Sequence, residues 1–211
     1  MSSVEPSQAA SPARSFDVFY DYLCPFVYRA SVLLQNVQDS GQRPIDITWR
    51  YFSLIQVNSK DEGWTIWDAL DSEARGRLAF KAAEAARRQG AFDDFHMALL
   101  RARHEQRADI DDVAVVEQVA EDSGLDLDRF RMDIADPQIV SALERDHRAA
   151  VAEYGVFGTP TFVFDAGAAY VRLSEPPEAS DSVAIFDRVV SIAAEEPRIL
   201  EIKRPVKPSP D

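Results

Sequence analysis

One residue in this chain carries a nucleophile suited to covalent chemistry with a disulfide. Cys24 is the single cysteine among 211 residues and stands in Asp21-Tyr22-Leu23-Cys24-Pro25-Phe26-Val27. A thiol at a helix N-terminus faces backbone N–H groups without partners and the positive end of the macrodipole. Both favour thiolate, the form that attacks. Pro25 suits the first helical position, because the N–H it lacks would stay unpaired there in any case. On this pattern Cys24 is expected to be reactive and at least partly exposed, although the residue taken alone reads as readily as a small buried hydrophobe. A second feature, Gly158-Thr159-Pro160-Thr161-Phe162-Val163-Phe164, lies about 135 residues later and runs from a turn straight into a strand pattern. His96, His104 and His147 are far apart with no H-x-x-x-H pair, and a single cysteine supplies no set of thiolates. No metal is therefore expected, and the histidines read as surface or core residues of helices.

These features need elements to hold them. Residues 16–20 (FDVFY) are aromatic and β-branched, and residues 45–52 (IDITWRYF) put Ile45, Ile47, Trp49 and Tyr51 on one face at period two, so both read as strands. Residues 25–39 open on Pro25, carry Val32, Leu33 and Val37 at helical spacing, and stop before Ser40-Gly41. Strand, helix and strand within 16–52 is the size of one crossover unit.

Beyond residue 61 the period turns helical. Residues 72–89 are rich in Ala and Arg, and 92–103 place Phe92, Phe95 and Leu99 on one stripe. A third helix is capped by Asp111 and stopped by Gly124, and a short one spans 127–134. The last, 137–154, carries Ile139, Val140, Leu143, Ala150 and Val151 on one side before Gly155. Trp64 and Trp67 open this block, as the wall of an aromatic substrate pocket or as hinge core. Strand period returns in 161–164 (TFVF) and in 170–173 (YVRL) behind an Asp-Ala-Gly turn, and a helix over 182–194 closes the order. The expected class is α/β, with βαβ (16–61) and ββα (155–203) halves around a helical insertion domain (62–154) and a mixed sheet of about four strands. Residues 1–15 and the proline-rich tail 204–211 are expected to be mobile ends.

Composition narrows the function classes. Hydrophobic residues make up 46% and charged residues 28% of the chain, the balance of a soluble globular protein. Asp plus Glu number 36 against 23 Lys plus Arg, a net charge of −13, which repels nucleic acid and anionic membrane surfaces. No apolar run reaches the length of a membrane span, and the first 15 residues lack the apolar core of a secretion signal, so the expected compartment is cytoplasmic. One cysteine excludes an intrachain disulfide.

The pairing of Cys24-Pro25 with Gly158-Thr159-Pro160-Thr161-Phe162-Val163-Phe164 resembles the thioredoxin superfamily, in its DsbA-like branch that also holds FrnE-type proteins, kappa-class glutathione transferases and 2-hydroxychromene-2-carboxylate isomerases. The likeness extends through Phe95 to Ala102 (FHMALLRA), Asp109-Ile110-Asp111, Gly124-Leu125-Asp126 and Ala149 to Phe164, and residues 197–205 (PRILEIKRP) resemble mycothiol-dependent reductases of the same branch. The resemblance implies a thioredoxin-like fold, a cis bond at Thr159-Pro160, and substrate binding beside Cys24 by Phe26, Val27, Thr159 and Pro160, with the insertion and its Trp64 and Trp67 over the thiol.

Where the family's redox motif is C-x-x-C, this chain reads Cys24-Pro25-Phe26-Val27, so valine replaces the resolving thiol. Dithiol chemistry is thereby excluded, and a mixed disulfide at Cys24 requires an external low-molecular-weight thiol, glutathione, mycothiol or similar, as co-substrate rather than a tightly bound cofactor. The disulfide partner would be a small molecule or a protein, and a homodimer stays open. The isomerase and transferase relatives hold serine at the first position. A thiol-dependent isomerase or a binding protein of lapsed redox function are the alternative readings.

Overall fold

Period-two burial along the first strand sets the layout. The computed structural model describes residues 13–204. In it, β1 (Arg14–Tyr20) buries Phe16, Val18 and Tyr20 on one side and Phe19 on the other, so both faces must be covered. The helix α1 (Pro25–Ser40) crosses over to β2 (Ile45–Tyr51), which pairs with β1 in parallel from Arg14↔Ile45 to Tyr20↔Tyr51. The strands β3 (Thr161–Phe164) and β4 (Gly167–Tyr170) add antiparallel partners, giving the order β2-β1-β3-β4. This is the mixed four-stranded sheet expected. Between its halves run α2 (Leu54–Asn58), α3 (Arg77–Arg88), α4 (Phe92–His104), α5 (Val113–Asp122), α6 (Leu127–Ala135) and α7 (Pro137–Tyr154), and α8 (Ala179–Ala193) follows β4.

Aromatic residues join the layers. Phe16 lies 6.0, 5.1 and 5.9 Å from Phe162, Phe164 and Phe186, tying β1 and β3 to α8. Further along the same face, Tyr20 meets Trp49 at 5.7 Å, Phe80 of α3 at 5.9 Å and His96 of α4 at 4.9 Å. Phe19 turns the other way, onto Phe52, Ala150 and Val156.

Several expected boundaries move, each for a local reason. Strand β1 begins at Arg14, because Arg14 and Ser15 pair with Ile45 and Asp46; residues 1–12 and 205–211 of the expected mobile ends lie outside the described residues. The helix expected over 72–89 starts only at Arg77. The buried Arg77 guanidinium takes the carbonyls of Ile66, Trp67 and Ala69 and the Asp71 carboxylate, at 2.5 to 3.1 Å, and so holds the preceding segment as turns. Asp112, not Asp111, caps α5 by accepting from Ala114 N. Asp111 instead accepts from Gly76 N at 2.6 Å.

The last strand is Gly167–Tyr170 rather than 170–173, because β3 is only four residues long and the hairpin closes from Phe164 directly onto Gly167. Beyond Tyr170 a single bond, Val171 N to Pro160 O, continues the pairing. Helix α2 was not expected. It is five residues long, too short to show a period, and is capped by the Ser53 hydroxyl accepting from Gln56 N.

Candidate functional site

Strand β1 ends at Tyr20, and a turn closed by Cys24 N donating to Asp21 O at 3.0 Å delivers Cys24 as the N-cap of α1, with Pro25 in the first turn. The Cys24 Sγ donates to the carbonyl of Thr159 at 3.2 Å. The Thr159–Pro160 peptide bond is cis. Sequence positions 24 and 159 are thus brought into contact, and Pro25, Phe26 and Val27 follow the thiol along the first turn of α1. Two expectations are corrected here. Cys24 is only 5% exposed rather than partly open, because it packs in the main core cluster beside fully buried Val27. Its sulfur makes no capping bond to the α1 N–H groups, since the side chain is turned to a carbonyl, and that contact uses the S–H proton. The Thr159 hydroxyl beside it is buried without a partner among the described residues.

Behind the thiol lies a polar network that the sequence reading missed. Asp21 is buried and its carboxylate accepts from Leu23 N at 2.8 Å and Leu54 N at 2.7 Å, so it staples the end of β1 to the start of α2. Burial pushes its pKa up to about 6, against the pull of those two N–H groups. Tyr22 hydroxyl meets His96 Nδ1 at 3.0 Å, and Ser31 of α1 meets Nε2 at 3.2 Å. Burial, with the Arg87 guanidinium second, pushes His96 down to about 3, so the imidazole is neutral and gives one nitrogen as donor and the other as acceptor. His104 Nε2 contacts Tyr22 O at 2.9 Å, and His147 Nδ1 accepts from Ser53 N at 3.2 Å. An acidic residue at a strand end, Asp21, and a histidine on the apolar stripe of a helix, His96, were the available signals.

Trp67 lies in the same main core cluster as Cys24, and Trp64 packs against that cluster. Trp67 is buried with its ring 5.6 Å from His147, its carbonyl held by Arg77, and Trp64 is half-buried. Neither is joined to Cys24 by a hydrogen bond or ring contact. Among the described residues no group of three or more His, Cys, Asp or Glu is placed to hold a metal, and no helix is long and apolar enough to cross a membrane.

A family model for the DSBA-like thioredoxin domain matches residues 16–174. The chain belongs to the DSBA-like thioredoxin domain family. It is 26% identical over 193 residues to an uncharacterised protein of Mycobacterium tuberculosis, Rv2286c, covering 92% of this chain and 83% of that one. In fold it is similar to a probable DsbA oxidoreductase of Streptomyces coelicolor, with a TM-score of 0.60 at 19% identity over 92% of this chain and 93% of the other. It is also similar to the cytosolic disulfide reductase DsbM of Pseudomonas aeruginosa with GSH, with a TM-score of 0.59 at 16% identity over 83% and 98%. The fold is therefore thioredoxin-like with a helical insertion, and family members are thiol-disulfide oxidoreductases.

Proposed function

We propose that this DSBA-like protein is a thiol-disulfide oxidoreductase that works through Cys24 alone, with a small thiol as co-substrate and no tightly bound cofactor. The observation that carries the reading is the contact of Cys24 Sγ with Thr159 O in a first helical turn where Val27 stands three residues on. In the reaction the S–H proton leaves to solvent and the sulfur turns away from Thr159. The thiolate then attacks a mixed disulfide between a substrate and the small thiol, bonding to the small thiol's sulfur. The substrate sulfur leaves as thiolate and takes a proton. A second small thiolate attacks the mixed disulfide at Cys24, giving the small disulfide and restoring the Cys24 thiolate. Substrate is reduced and small thiol oxidised. Such turnover fits a reducing compartment such as the cytoplasm, and the GSH named with DsbM makes glutathione the first probe.

Intact-mass measurement of the full chain after exposure to glutathione disulfide is expected to show one adduct, absent in Cys24→Ser and discharged by excess glutathione. Val27→Cys is expected to form an intramolecular disulfide, since residues three apart share one side of a helix, and to gain turnover without added small thiol. The burial of Cys24 favours one competing reading, a thiol-dependent isomerase that binds its thiol without covalent chemistry. Activity that survives Cys24→Ser with thiol binding intact would establish that reading instead.

A further inference from the structure

Two residues past the thiol, two guanidinium groups share one aromatic ring. Arg29 and Arg172 each place Cζ 5.0 Å from the centroid of Phe26. Arg172 also stands 5.6 Å over Tyr170, whose ring meets Phe157 at 5.0 Å. Tyr170 in turn presses on Gly158, where an added Cβ would lie 3.3 Å from its Cε2. Gly158 precedes Thr159, whose carbonyl holds Sγ, and Phe26 lies two residues past Cys24. The contacts therefore close into a rim around the thiol, and with Phe157 68% exposed and Arg172 exposed the rim faces solvent.

Two cations drawn to one ring repel each other, and at an exposed site the ring offsets this only weakly. Arg29 finds one further acceptor, Leu173 O at 2.9 Å. Among the described residues neither arginine has a carboxylate partner, although acidic residues outnumber basic ones 36 to 23. Among the described residues, the two arginines therefore lack a counter-charge. We propose that Arg29 and Arg172 form a carboxylate-binding subsite of the Cys24 site, which selects anionic, peptide-like thiols and disulfides of the glutathione type over uncharged or cationic ones. This rests on the monothiol reading. Arg172, free of backbone commitments, grips a carboxylate through two parallel N–H groups, and Arg29 adds its charge from α1. Both are specificity residues. The bond exchange at Cys24 is unchanged, one sulfur of the disulfide bonding to Sγ and the other leaving as thiolate that takes a proton.

The test follows adduct formation on the full chain with three disulfides, anionic glutathione disulfide, uncharged 2-hydroxyethyl disulfide and cationic cystamine. The net charge of −13 by itself favours cystamine. The subsite reverses that order, with glutathione disulfide fastest and its lead shrinking as salt rises. Arg172→Gln is expected to lower the rate ratio of glutathione disulfide to 2-hydroxyethyl disulfide about tenfold, the scale of one charge-assisted contact. Arg172→Lys should recover part of it, and Arg29→Gln should lower it by a smaller factor. Adducts that form regardless of probe charge, with the ratio unmoved in both glutamine variants, overturn the subsite alone. No adduct from any of the three overturns the monothiol reading and the subsite with it.

Discussion

Buried Cys24 has a closed interior at its back and a solvent-facing rim at its front, and they are built from different physics. Behind Cys24, Tyr20, Tyr22, Trp49, Phe80 and His96 pack at aromatic distances of 4.3 to 6.0 Å, and the Tyr22 and His96 polar atoms are joined in one network. In front, Phe26, Arg29, Phe157, Tyr170 and Arg172 are half-buried or exposed and are held mainly by ring faces. Burial neutralises His96 at the back, while at the front Arg29 is half-buried and Arg172 is exposed. Stability is therefore concentrated behind the thiol and ligand choice in front of it, so substitutions should separate the two.

The largest effect is expected at the back. His96→Ala removes a ring that lies 4.3 Å from Trp49 and leaves both the Tyr22 and Ser31 hydroxyls unpaired in the core. A loss of about 3–5 kcal/mol is expected from the cavity and the orphaned groups together, read as a shift of the urea midpoint. A loss below about 1 kcal/mol would break the division between back and front.

The next effect is the response of stability to pH, in which groups at the back oppose one another. Asp21, pushed up to about 6 from its usual 3.8, favours the fold while protonated, and this contribution is lost as pH rises through 6. His96 and His147, pushed down to about 3 and about 4 from the usual 6.5, act in the other direction. Their contribution is complete above 6.5 and is lost as pH falls, because the unfolded chain takes up protons that the folded one refuses. His104, also lowered by burial, adds to the same side. With two strongly shifted imidazoles against one carboxylate, unfolding takes up about one net proton between roughly pH 4.5 and 6, and stability rises with pH there by up to roughly 1.4 kcal/mol per unit. Asp21→Asn removes the opposing group and should steepen the slope. Urea titrations across that interval that came out flat or inverted would show that these groups are not held as the structure places them.

How much of this was legible in the sequence follows from range. The strand at residues 16–20, the helix opened by Pro25 and the helix over 137–154 were readable because period and cap lie in consecutive residues. The contact of positions 24 and 159 came from the family resemblance of two distant motifs, not from either motif alone. The back network was hidden because Tyr22, Ser31 and His96 meet only once α4 lies on α1, and neither segment carries a mark of the other. The start of α3 was misplaced because Arg77, an ordinary helix former, spends its guanidinium on the carbonyls of residues 66, 67 and 69. Burial of Cys24 was missed for a related reason. A helix N-terminus suggests exposure, but the loop that covers this one comes from the other half of the chain.

The smallest effect on stability belongs to the front, and it tests the comparison from the other side. Phe157 buries little of its ring, and its aromatic partner is Tyr170 at 5.0 Å. Phe157→Ser should therefore change the unfolding free energy by no more than about 0.5 kcal/mol, the range of surface positions away from caps and cores. Selectivity should still respond, because Tyr170 is steadied by Phe157 on one side and carries Arg172 on the other. A looser Tyr170 lets the guanidinium sample more orientations, and each carboxylate contact then costs more ordering entropy. The expected readout is a drop of roughly twofold in the preference for glutathione disulfide over 2-hydroxyethyl disulfide at an unchanged urea midpoint. A variant that instead lost several kcal/mol of stability would mean that the rim is part of the core, and that stability and ligand choice are not divided between the two sides of the thiol.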